Sequence, residues 1–159
     1  MTLNGIRPPL PRTCWAALLC AIFPTVASAQ KLDLSITPTT IVFATADPDT
    51  VPIISSAPVQ VNYRVRQNNP EPWLLSVLAG GDLVAGSQTV DISNISWVAT
   101  PSPPFTSGVM SKTVAQRVAS GTGNMANPSQ GQIIFRLANS WNYAPGLYTQ
   151  TIVFTLTAP

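Results

Sequence analysis

The sequence contains no histidine, and its two cysteines, Cys14 and Cys20, both lie within the first twenty residues. Without histidine there is no Ser-His-Asp or Cys-His triad, no histidine acid–base catalysis, and none of the common zinc ligand sets. Charge is scarce: Asp, Glu, Lys and Arg make up 9% of the chain. Helical periodicity is almost absent. So is an uninterrupted apolar run of the ~20 residues that a membrane-spanning helix needs. There is no internal repeat and no charged tail.

The N-terminus accounts for the cysteines. "MTLNGIRPPLPR" carries Arg7 and Arg12 and no acid; "TCWAALLCAIFPTV" is apolar; Ala27 and Ala29 supply small residues before Gln30. This pattern predicts a secretory signal peptide over residues 1–29, cleaved to leave one domain over 30–159. Leu19 before Cys20 and Thr13 before Cys14 do not suit a lipid-attachment site. Cleavage removes both cysteines, so the mature chain folds without a disulfide in a compartment that would permit one. It also removes Arg7 and Arg12, after which the remaining bases are balanced by the six acids. Net charge then gives no reason to expect nucleic acid or an anionic membrane as partner. The expected location is the periplasm, the cell surface or the medium, with no integral membrane segment.

What remains is rich in alternation at period two, the pattern of half-buried strands. "KLDLSI" puts Leu32, Leu34 and Ile36 on one face. "PVQVNYRV" does so with Val59, Val61, Tyr63 and Val65. "WLLSVLA" follows with Trp73, Leu75, Val77 and Ala79, and "QIIFRLA" with Ile133, Phe135 and Leu137. In "TVDISNISWVAT" the parity flips between Ile92 and Ile95, which predicts a bulge or a break at Ser93-Asn94. "VMSKTVAQRVAS" reads as an edge strand marked by Lys112 and Arg117. "GTGNMANPSQG" reads as a long turn. The expectation is an all-β fold, an antiparallel Ig-like β-sandwich of seven to eight strands, with a closed barrel as the alternative.

The closing "APGLYTQTIVFTLTAP" launches a last strand from a Pro-Gly turn. Gly146-Leu147-Tyr148 resembles the tyrosine corner of immunoglobulin-like sandwiches, in which the Tyr hydroxyl bonds a nearby backbone group. "LSITPTTIVFATADPDTVP" resembles the opening of bacterial surface sandwiches, a broad group that includes fimbrial pilins and spore-coat-U-like proteins. The resemblance implies an Ig-like fold and a structural or adhesive role. The chain departs from chaperone-assembled pilins in having no cysteine after Ala29.

Few side chains suggest chemistry. Asp47, Asp49, Glu71 and Asp82 fall in or beside turns, where Asp caps the backbone. The two carboxylates of "DPD" with Thr50 fall short of the six to eight oxygens calcium takes. No cofactor and no metal is expected, and the chain reads as non-enzymatic. Asn94-Ile95-Ser96 matches a glycosylation acceptor by chance. Trp73, Trp97 and Tyr63 fall on the apolar phase of their strands and read as core. Trp141 and Tyr143, in the loop "NSWNYAPG", are the candidates for ligand contact, with a glycan as ligand. The leading reading is an exported structural or adhesion-type protein that self-assembles or joins a surface partner by β-strand pairing; a carbohydrate-binding module is the alternative. "KLDLSI" is either the first strand of its own sheet or a strand donated to a neighbour.

Overall fold

The computed structural model describes residues 31–67 and 70–159; the leader expected over residues 1–29 lies outside them. The described residues form eleven strands in three antiparallel sheets, with no α-helix. In chain order the strands are β1 Lys31–Thr37, β2 Ile53–Ser55, β3 Val59–Arg66, β4 Pro72–Ala79, β5 Leu83–Ala85 and β6 Gln88–Val90. After one turn of 3-10 helix at Ile92–Asn94 come β7 Ile95–Thr100, β8 Gly108–Val109, β9 Gln116–Thr122, β10 Met125–Ala138 and β11 Ile152–Thr157.

The largest sheet runs β1-β3-β10-β7-β8, with β2 also on β10. A second runs β11-β4-β9, and β5 and β6 form a hairpin. The two larger sheets share one apolar core: Val59, Val61, Tyr63, Val65, Trp97, Ile133 and Phe135 from the first meet Trp73, Leu75, Val77, Val118 and Ala119 from the second. The Tyr63 and Trp73 rings lie 5.0 Å apart across that core, and Tyr63 meets Phe105 edge-on at 5.7 Å. Period two brings this about, because a strand turns every second side chain to the same face; in β9 a register shift opposite Leu75 and Ser76 lets the consecutive Val118 and Ala119 both be buried.

The all-β, antiparallel expectation stands, but the count of seven to eight strands is corrected. The additional elements, β2, β5, β6 and β8, are two or three residues long, too short to show a period. The long turn expected over "GTGNMANPSQG" is also corrected. Only Gly123, with φ of +80°, and its neighbour Asn124 turn the chain. From Met125 onward the residues belong to β10, where a register shift between Met125 and Ser129 spans Ala126-Asn127-Pro128. The parity flip at Ser93-Asn94 is a strand break: Asp91 caps the 3-10 turn, its Oδ1 accepting the Ser93 amide at 2.8 Å. β9 is an edge strand of its sheet.

Candidate functional site: an unpaired strand edge and a loop pair

β1 pairs with β3 from Lys31↔Arg66 to Thr37↔Gln60, so "KLDLSI" is the first strand of its own sheet. On the outer face Arg64 of β3 donates from Nε to Asp33 of β1 at 2.7 Å and from Nη2 to the same oxygen. That bond holds the Asp33 carboxyl below its ordinary value. After Thr37 the chain runs past Ile41 and Phe43 without a ladder partner among the described residues, and both side chains lean on the core half-buried.

Among the described residues β11 pairs with β4 on one side only, from Ile152↔Ala79 to Thr157↔Leu74. The Gly80 N–H donates to the Thr151 carbonyl at 2.9 Å. Ladder bonds in an antiparallel pair fall on every second residue, so Thr151, Val153 and Thr155 direct their N–H and C=O groups to β4. Ile152, Phe154 and Leu156 direct theirs to the other edge, where no described strand sits. β1 comes close to β11 without pairing with it.

The core is unfinished along the same line. Inward side chains of β3, β4 and β7 are almost all buried. Even at the opposite edge of the smaller sheet, Val118 and Ala119 of β9 are closed off. Leu32, Leu34 and Ile36 of β1, Ile41 and Phe43 of the arm, and Ile152, Phe154 and Leu156 of β11 remain only half-buried. Sheet width explains this. With strands about 4.8 Å apart, five strands span ~19 Å and three span ~10 Å. The smaller sheet is too narrow to cover β1.

The edge is also unguarded. Its outward residues, Thr151, Val153, Thr155 and Thr157, carry no charge, and β11 contains no proline. β1 carries Lys31 and Asp33 on its outer face, and β8 is two residues long. Charged side chains and short strands are devices that blunt an edge against pairing, and β11 has neither.

The aromatic candidates separate. Trp141 is 68% exposed, and its indole Nε1–H donates to Asp49 Oδ1 at 3.1 Å. Tyr143 folds back: its hydroxyl donates to the Ala138 carbonyl at 2.9 Å and its ring packs on the core, where burial pushes the phenol pKa up. Among the described residues the two rings are not in contact. In the sequence Asp49 reads as a turn residue or as part of an incomplete calcium set, and its tie to Trp141 spans 92 positions. Tyr148 donates its hydroxyl to the Ala144 carbonyl at 2.9 Å. Gly146 leaves room beside Ala85, whose Cβ would stand 3.0 Å from a β-carbon there. Gln150, the polar interruption in an otherwise apolar phase, clamps the β4–β5 turn through a 2.6 Å bond from Nε2 to the Asp82 carbonyl. Among the described residues no three His, Cys, Asp or Glu side chains gather in a metal-binding group, and no helix is long and apolar enough to cross a membrane.

Comparison with models of protein families gives no match, and neither does comparison with curated proteins.

Proposed function

We propose that this chain is an exported, non-enzymatic structural or adhesion-type surface protein, an Ig-like β-sandwich that assembles by accepting a strand along β11. The observation that carries the reading is the coincidence of two deficits on one line. Among the described residues the backbone groups of Ile152, Phe154 and Leu156 have no ladder, and the core beneath them is only partly covered. One added strand with apolar residues at alternate positions supplies both, its main chain bonding β11 and its side chains closing over Leu32, Leu34 and Ile36. The leader pattern supports export, and the missing histidine supports a role without histidine acid–base chemistry. β1 lies within its own sheet, which supports a donated strand other than "KLDLSI".

The test uses residues 30–159 and synthetic peptides of alternating Val and Thr, with a same-composition peptide of broken alternation as control. At 100 times its dissociation constant a ligand specific for the folded state adds about 2.7 kcal/mol of stability. The alternating peptide is expected to raise the melting temperature by several degrees and to protect the amides of Ile152, Phe154 and Leu156 from exchange. Equal effects from both peptides, or protection that maps to β9 or β1, would defeat the proposal.

A further inference from the structure

The strand edge gives no reason for a tryptophan to stand in water at the end of β10. We infer that Trp141, with Asp49 at its rim, is a contact site for a sugar ring of a polysaccharide. The other two tryptophans of the described residues, Trp73 and Trp97, are 3% and 2% exposed, so Trp141 alone offers its ring to solvent.

This ring is exposed but not loose. Its N–H is held by Asp49 on a different loop. That loop is itself fastened: Asp47 Oδ1 accepts the Asp49 amide at 2.9 Å, and the Asp47 carbonyl accepts the Val51 amide at 2.8 Å. Asn139 then ties the two loops together. Its side-chain amide donates to the carbonyls of Ala46 and Val51, both at 3.0 Å, and its backbone N–H to Pro52 at 2.8 Å. An aromatic held this way loses little freedom when a ligand lands on it, and the ordering cost of binding falls accordingly.

The geometry selects the ligand class. An indole N–H points outward in the ring plane, so the Asp49 carboxylate sits at the ring's edge, not over its face. A pyranose has the matching division: a C–H face that stacks on an aromatic and a rim of hydroxyls that donate to an acceptor. Among the described residues Asp49 has no cationic partner, which leaves its carboxylate free to accept a hydroxyl. A cation would centre over the ring face, where this carboxylate is not. Tyr143 takes no part, because its hydroxyl is committed to Ala138. The site lies on the loop that leads into β2 and the loop that leaves β10, so it does not depend on strand acceptance at β11.

The experiment is affinity electrophoresis of residues 30–159 in gels containing hydroxyethylcellulose, soluble starch or yeast mannan, paired with acrylamide quenching of tryptophan fluorescence. Retardation by at least one polysaccharide is expected, with protection of the exposed emission from acrylamide. Trp141→Ala should weaken retention by about tenfold or more, Asp49→Asn should weaken it less, and Tyr143→Phe should leave it unchanged. Unchanged emission from Trp73 and Trp97 in Trp141→Ala shows that the variant is folded. No retardation in any gel overturns the inference, and so does retention that survives Trp141→Ala. Displacement by tetramethylammonium but not by free sugars would also overturn it, marking the ring as a cation site.

Discussion

The carbonyl of Thr151 accepts the amide hydrogen of Gly80 at 2.9 Å, and that bond sets the phase of the whole β11 edge. It assigns Val153 and Thr155 to the ladder with β4 and directs the backbone groups of Ile152, Phe154 and Leu156 to the open edge, while their side chains stay against the core. Hydrogen exchange followed residue by residue should show the alternation directly. The Val153 and Thr155 amides are expected to exchange about tenfold or more slowly than those of Ile152, Phe154 and Leu156. Uniform protection along the strand would mean that a second partner already covers the edge.

Deleting residues 31–36 removes the ladder from β1 to β3, the Asp33–Arg64 pair and three apolar side chains over the core. The expected result is a monomer with a clearly lower melting temperature. A donated strand would give the opposite outcome, an unchanged monomer that merely fails to assemble. Thermal denaturation followed by circular dichroism distinguishes the two.

Gly121 lies under the ring of Trp73, where a β-carbon would come within 2.6 Å of the indole. Gly121→Ala must therefore push Trp73 out of a filled core. Overpacking of this kind costs about 1–3 kcal/mol, measurable by urea denaturation.

Tyr148→Phe deletes the hydroxyl that donates to Ala144 and leaves the ring in place. The expected loss is about 1 kcal/mol, the ordinary net contribution of one hydrogen bond. The same variant should loosen the 144–148 turn, visible as faster proteolysis there than in the parent.

Stability should fall at acid pH. The Arg64 hydrogen bond lowers the Asp33 carboxyl, that of Lys112 followed by the Ile92 amide lowers Asp82, and Ser93 lowers Asp91. All three lie below the ordinary 3.8 in the folded chain. Their contribution is complete above that value and is lost as pH falls through the folded pKa values. At the alkaline end the signs reverse. Asp82 raises the Lys112 ammonium above 10.5, and burial raises the Tyr63 phenol above 10.0. Their contribution is present below those values and is lost as pH rises beyond them. Melting temperatures from pH 2 to 11 should show both limbs, and Asp82→Asn should flatten the acid one.

Much of the architecture could be read from residue order. Val59, Val61, Tyr63 and Val65 alternate because a strand turns every second side chain inward, and all four are buried. Trp73 and Trp97 fall on the apolar phase and are buried for the same reason. The parity flip at Ser93-Asn94 shows as a break because an unpaired residue must go somewhere. The short strands β2, β5, β6 and β8 could not be read this way, since two or three residues carry no period. Nor could the role of Gln150, whose partner Asp82 lies 68 positions away.

Sequence alone determined that these residues form antiparallel strands with one apolar face each, because that property is local and repeats at every second position. Only the tertiary structure decided how many strands each sheet holds. Sheet width depends on which distant segments find one another, and no local pattern encodes that. From the width follows the half-covered line along Leu32, Leu34, Ile36, Ile152, Phe154 and Leu156. By the same logic, chain folding set Trp141 against Asp49 and turned Tyr143 away, although both aromatics occupy one short loop.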